Sequence, residues 1–186
     1  MVSLSALWLP ILVASVLVFL SSWILHTLLP LHKKDFGKLP NESAFMQSAR
    51  DAGISPGQYM FPCPDDPKDW MSEEFKARAA EGPVGIMFVG RNGMGNMGAQ
   101  LGQHFAYTLV ISLFVAYLAA ATLEAGSGYL EVFRVTGTAA FLGYAMAHVS
   151  HAVWWFHDWS MTFKYIFDGL VYALLTAGAF GWLWPV

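Results

Sequence analysis

The sequence predicts an all-α membrane protein with four transmembrane helices and a small α+β cytoplasmic insertion between the first and second spans. The first observation is that charged residues make up only 12% of the chain and hydrophobic residues 56%, whereas soluble domains average about 25% charged residues. The second is that the chain contains four apolar runs, each near the ~20 residues that a bilayer-spanning helix needs. These runs cover residues 4–29, 105–123, 132–155 and 165–184.

The positions of the runs divide the chain into three parts. They are a first transmembrane helix in residues 1–29, a loop domain in 30–102 and a three-helix transmembrane bundle in 103–186. In the loop, Asn41 is predicted to cap a short helix that ends at Gly53. The segments "GQYMFPCP" and "VGIMFVG" predict two strands around a second helix, "SEEFKARAAEG".

The basic residues predict the orientation in the membrane. Eight of the ten lysines and arginines lie between Lys33 and Arg91, and basic loops stay on the cytoplasmic side. We therefore expect a multi-pass protein of the bacterial cytoplasmic (inner) membrane with both termini in the periplasm. The net charge of −3 argues against nucleic acid as a partner, because binding phosphates requires a basic surface.

Small residues recur every four positions in three of the spans, which permits close helix packing in lipid. The rows contain Ser112, Ala116 and Ala120 in the second span, Ala139, Gly143 and Ala147 in the third, and Gly169, Ala173, Ala177 and Gly181 in the fourth. The first span has no comparable row. We expect it at the edge of the bundle or against a partner chain.

Four histidines, His26, His104, His148 and His151, fall near the predicted cytoplasmic ends of the spans. Histidine binds metals, haem iron and pigments, and His151 continues a small-residue row, which predicts that it points into the bundle. The simpler alternative is that these are interfacial residues and that no cofactor is bound. It is favoured because no carboxylate pair or cysteine cluster accompanies them in the manner of a di-metal or zinc site.

Asp168 is the one carboxylate inside the fourth span, and carboxylates within spans usually have partners. Lys164, Tyr172 and His151 are its predicted partners. A structural polar clasp is the favoured interpretation, and a position in a transport path is the weaker one.

Two other sequence features do not predict a binding or catalytic site. "GMGNMG" has the glycine spacing of a dinucleotide-binding loop, but a membrane span follows it and no acidic residue stands about 20 positions later. Cys63 is the single cysteine, so no internal disulfide forms, and neither a nucleophile motif nor a nearby histidine accompanies it.

Several segments resemble a family of small uncharacterised bacterial four-span integral membrane proteins that has no assigned activity. They are "SSWILHTLLPLHKKDFGKLPNE", "PGQYMFP", "EGPVG", "VFRVTGTAAFLGY" and "MTFKYIFDGLVYALLTAGAFGWLWP". The resemblance runs along almost the whole chain and implies the four-span architecture, but it assigns no cofactor or site residue. The stretch from His148 to His157 lies outside the pattern.

The sequence thus favours a non-enzymatic accessory or scaffolding subunit that packs against other membrane protein subunits within the bilayer. The alternative is a redox protein that binds haem, a metal or a pigment through the four histidines. A small transporter that uses Asp168 is the weaker alternative.

Overall fold

The computed structural model describes residues 2–186. It contains seven α-helices and two strands among those residues. In chain order they are α1 (Trp8–Trp23), α2 (Glu42–Asp51), β1 (Gly57–Phe61), α3 (Glu73–Glu81), β2 (Gly85–Val89), α4 (Met97–Thr122), α5 (Tyr129–Tyr144), α6 (Ala147–Trp154) and α7 (Trp159–Trp182). The chain forms two compact units, one that ends at Phe36 and resumes with Asn96–Val186, and a second that comprises Gly37–Gly95.

Three helices of the first unit are long and apolar enough to span a membrane. They are Leu4–Leu28, which includes α1 and its flanking turns, then α4 and α7, with 25, 26 and 24 residues. The predicted third span is not one continuous helix, because α5 ends at Tyr144 and α6 begins at Ala147. With 16 residues, α5 is about 24 Å long, which is less than the ~30 Å hydrocarbon core.

The four longest helices form a ring in which each contacts two neighbours. Helix α1 packs on α4 and α7, and α5 packs on the same two helices. The expectation that the first helix lies at the edge is therefore wrong. It has its own row of buried residues, Pro10, Ala14 and Val18, and the hydroxyl of Ser15 lies 3.1 Å from that of Ser112 on α4.

Small residues bring α5 and α7 close together. On α7 they belong to the predicted row, whereas on the α5 side they are Gly137 and Ala145 and not the predicted Ala139 and Gly143, since Gly143 faces Ile111 of α4. A Cβ atom added to Gly137 would lie 3.1 Å from Ala177 Cβ, and one added to Gly181 would lie 2.7 Å from the Tyr129 ring. At Gly169 it would lie 2.7 Å from Ala145 Cβ and 2.9 Å from Ala145 Cα. The other members of the predicted rows differ in burial. Ala173 is buried, whereas Ala147 is exposed at the start of α6.

The second unit contains the predicted helices and strands. Asn41 caps α2 by accepting a hydrogen bond from the Ala44 amide at 3.3 Å, and α3 lies between the two strands in the chain. Strands β1 and β2 pair antiparallel, with Tyr59 opposite Met87. A dinucleotide-binding unit requires parallel strands, so this pairing agrees with rejecting that interpretation of "GMGNMG".

The contact at Gly169 yields a stability prediction. Gly169→Ala forces α5 and α7 apart, because the new methyl group meets the backbone of Ala145. We expect a loss of about 1–3 kcal/mol, the usual cost of overpacking, measured by thermal unfolding in detergent. The matched control is Gly102→Ala on α4, where a Cβ atom meets nothing within 4 Å and improved helix propensity gives equal or higher stability. Equal stability of the two variants would contradict this packing.

Candidate metal centre

The chain that leaves α1 brings two histidines together. His26 lies in a π-helical turn, Ile24–Leu28, a local geometry that is frequent at functional sites. Leu29 is extended (φ −83°, ψ 146°), as the residue before a proline tends to be, and the turn Pro30–His32 follows. The imidazole rings of His26 and His32 consequently stack in parallel, with centroids 4.2 Å apart and an interplanar angle of 2°.

Helix α7 adds Asp168 to this pair. Only 2% of the Asp168 side chain is exposed, and its Oδ2 atom lies 2.9 Å from His32 Nε2 and 3.7 Å from His26 Nε2. One ligand atom from each of these three residues lies within 4.8 Å of the others. Two imidazole nitrogens and one carboxylate oxygen thus lie close together.

The hydrogen bonds of the two Nδ1 atoms determine which nitrogen of each neutral imidazole carries the proton. His26 Nδ1 lies 3.1 Å from the Ser22 carbonyl oxygen, and His32 Nδ1 lies 2.5 Å from Asp35 Oδ2. A carbonyl or carboxylate oxygen only accepts hydrogen bonds, so each Nδ1 must carry the proton. In the neutral rings, both Nε2 atoms therefore carry the lone pairs that face Asp168.

Asp35 is held as a carboxylate by two donors. Its Oδ1 atom accepts a hydrogen bond from Lys164 Nζ at 2.5 Å, while its Oδ2 atom accepts the one from His32. Burial on its own raises the pKa of Asp35, but the hydrogen bonds and charges of Lys164 and His32 outweigh burial and lower this pKa below its usual value. Lys164 thus pairs with Asp35, and not with Asp168 as predicted.

The electrostatics of this cluster favour a bound cation. With neutral histidines, the two aspartates and Lys164 leave a charge of −1. Among the described residues, His32 Nε2 and both oxygens of Asp168 have no assigned hydrogen-bond partner, although His32 Nε2 lies 2.9 Å from Asp168 Oδ2, close enough for an ion pair when His32 is protonated. Buried acceptors without a donor are costly, and a cation between them would stabilise all of them.

The separations are close to those of a metal coordination sphere. Ligands bound tetrahedrally to zinc at 2.0–2.1 Å lie about 3.3 Å apart, and the observed 2.9 Å and 3.7 Å lie on either side of that value. Three-ligand coordination additionally requires the two parallel imidazole rings to rotate out of their stack, so that both in-plane Nε2 lone pairs point at one ion.

A cavity of about 530 Å³ adjoins this cluster within the helical bundle. His26 and Asp168 form part of its wall, so the cluster borders the cavity. The other lining side chains come from all sides of the bundle, namely Phe19, Ser22, Trp23 and Thr27 from the first span, Gln100, Leu101, His104 and Tyr107 from α4, Tyr144 and His148 from α5 and α6, and Tyr165 and Tyr172 from α7.

The structure brings together only some of the predicted site residues. His26, His104, His148 and Tyr172 line the same cavity as Asp168. His151 is exposed and does not line it, which corrects the expectation that it points into the bundle. The reason is that the third span breaks before α6, so the small-residue row of α5 does not continue into His151.

Sequence reasoning missed His32 and Asp35, which belong to the loop that follows the first span. The signal was present in "HTLLPLHKKD", where a proline between two histidines predicts that the chain turns back after the helix. Position alone did not show that this turn packs against Asp168.

The bridge from Asp35 to Lys164 links positions that are 129 residues apart. We expect a double-mutant cycle with Asp35→Asn and Lys164→Met to show a coupling energy of about 1–3 kcal/mol, because both side chains are largely shielded from water. Unfolding of the four proteins in the same detergent measures it. Additive effects of the two substitutions would show that the bridge does not stabilise the bundle.

Comparisons of this chain with protein-family models, with curated proteins and with solved structures found no match. No relative therefore supplies a role for the cluster or the cavity. The functional argument rests on the geometry of His26, His32 and Asp168 and on the space beside them.

Proposed function

We propose that the chain is an integral membrane protein that binds a divalent transition-metal ion through His26, His32 and Asp168. The close approach of two Nε2 atoms to one buried carboxylate carries this proposal. Three apolar helices of spanning length support the membrane setting.

The donor set favours Zn²⁺ or Fe²⁺. Imidazole and carboxylate ligands suit both ions, and two histidines with one carboxylate leave open coordination positions in either case. Asp35 then acts as the outer carboxylate that orients a ligating histidine, an arrangement common at metal sites. Lys164 offsets the charge of Asp35 at the same time.

A bound divalent ion changes the charge of the cluster from −1 to +1. The open position on the cavity side therefore suits water, hydroxide or an anionic oxygen of a small molecule. The ion supplies Lewis acidity at that position when bound. The residues of the chain orient the site through Asp35 and Ser22, the hydrogen-bond partners of the two Nδ1 atoms.

The finer membrane arrangement belongs to the same proposal. Together, α5 and α6 form a broken third crossing between α4 and α7, which gives four spans with both termini in the periplasm of a bacterial cell. The basic residues after the first span support this orientation. Membership of the four-span bacterial family rests on the sequence resemblance alone.

The other sequence-based hypotheses stay predictions. An accessory subunit is compatible with the exposed apolar faces of the spans, but lipid alone can cover those faces. A transport role is not needed to explain why a carboxylate lies within a span, because Asp168 already contacts His26 and His32.

Metal analysis tests the proposed site directly. We expect protein purified without chelators to contain about one zinc or iron ion per chain, and Asp168→Asn and His32→Ala to lose it, since each removes a ligand atom. His151→Ala is the matched control and should retain the ion. Mass spectrometry of the metal content measures all four proteins after size exclusion has shown that they fold alike. Metal-free wild-type protein that takes up neither ion on reconstitution would overturn the proposal.

The orientation can be tested with Cys63, the single cysteine of the chain, which is exposed in the second unit. In intact cells, a membrane-impermeant maleimide should leave Cys63 unlabelled, because the basic loop is cytoplasmic. It should label Cys63 in inverted membrane vesicles. Labelling in intact cells but not in the inverted vesicles would place this loop in the periplasm.

A further inference from the structure

We infer that the cavity beside the metal site binds the oxygen-bearing aromatic or quinone ring of a lipid-soluble molecule, with a ring oxygen at the open coordination position. This inference rests on the proposed metal site. Four observations carry it: the opening of the cavity, the composition of its wall, an unpartnered histidine and the volume.

The exposed part of the cavity wall includes apolar side chains beside the polar Gln100 and Thr27. Trp23 and Leu101 both line the cavity, yet they are 49% and 43% exposed. They belong to the first span and to α4, which pack side by side. A ligand can therefore enter between these helices from the hydrocarbon region, and its apolar tail can remain in the lipid.

The wall of the cavity is aromatic. The rings of Tyr107 and Tyr144 meet edge to face with centroids 5.8 Å apart, and those of Tyr144 and Tyr172 do so at 5.5 Å. Of the described residues that line the cavity, Leu101 is the one with an aliphatic hydrocarbon side chain. Aromatic walls favour planar rings through stacking and edge-to-face contact, whereas an alkyl-chain site would be lined by aliphatic residues.

His104 provides a polar contact away from the metal ligands. Its Nε2 atom is buried and has no hydrogen-bond partner within the described part of the chain, although the side chain lines the cavity. A buried imidazole nitrogen without a partner is destabilising. A ring with two oxygen atoms would satisfy both this nitrogen and the metal ion.

The volume also fits a ring head group. Pockets for small organic ligands measure about 300–1,000 Å³, and this cavity has about 530 Å³. That space is larger than a water-filled coordination site needs. It is sufficient for a substituted ring and the first atoms of its tail, and the rest of the tail would leave through the opening at Trp23 and Leu101.

The test uses decylubiquinone as the probe and the metal-loaded full chain in phosphatidylcholine nanodiscs. Binding is followed by quenching of tryptophan fluorescence, to which Trp23 in the wall contributes. Leu101→Phe enlarges a side chain of the cavity wall without touching a metal ligand and should weaken binding at least tenfold. Leu113→Phe, on an exposed position of the same helix outside the lining, is the matched control and should bind as the wild type does. Dodecanoic acid has an alkyl chain but no ring, so it tests whether the protein recognises the alkyl chain alone.

The expected result is saturable quenching by decylubiquinone that Leu101→Phe removes while the metal content stays unchanged. Loss of most of the saturable quenching in Trp23→Phe would place the probe in the cavity. Metal-loaded protein without saturable quenching, or with equal affinity for dodecanoic acid, overturns the ring-binding inference and leaves the metal site intact. Wild-type protein that binds no metal overturns the proposed function itself, and this inference with it.

Discussion

The hydrogen bonds of Asp35 hold the proposed metal centre together. One carboxylate oxygen accepts from His32 and the other from Lys164, so a single side chain attaches the segment after the first span to the start of α7. The same contact puts the proton of His32 on Nδ1 and leaves Nε2 facing Asp168. Without it, neither the position of His32 nor its lone pair would be determined.

Much of the architecture follows from patterns in the sequence. The low charge content and the apolar runs predict a membrane protein, and three of those runs form single helices of spanning length. Asn41 and the alternating segments predict the helix and the strands of the second unit. These elements depend on local preferences and on burial in lipid, both of which can be read from neighbouring residues.

The rest depends on contacts between distant residues, which no local pattern contains. The third run breaks at Ala145, where α5 comes closest to Gly169 of α7. The sequence singles out His26 as a candidate cofactor ligand and Asp168 as a rare carboxylate within a span, yet their shared neighbour His32 lies outside the apolar runs. His151 fits the small-residue row in sequence and is exposed in the structure, because the row assumes a continuous helix. The site therefore emerges from tertiary packing.

The interruption between α5 and α6 separates a cavity-lining residue that packs in the bundle from one that is only partly buried. Tyr144 closes the rigid part of the bundle, whereas His148 stands on a short helix with no buried residue of its own. A substitution of His148, the one α6 residue in the cavity wall, can consequently alter which molecule fits the cavity with little effect on the scaffold. Proteins with the same bundle can thus diverge in ligand preference through a single position.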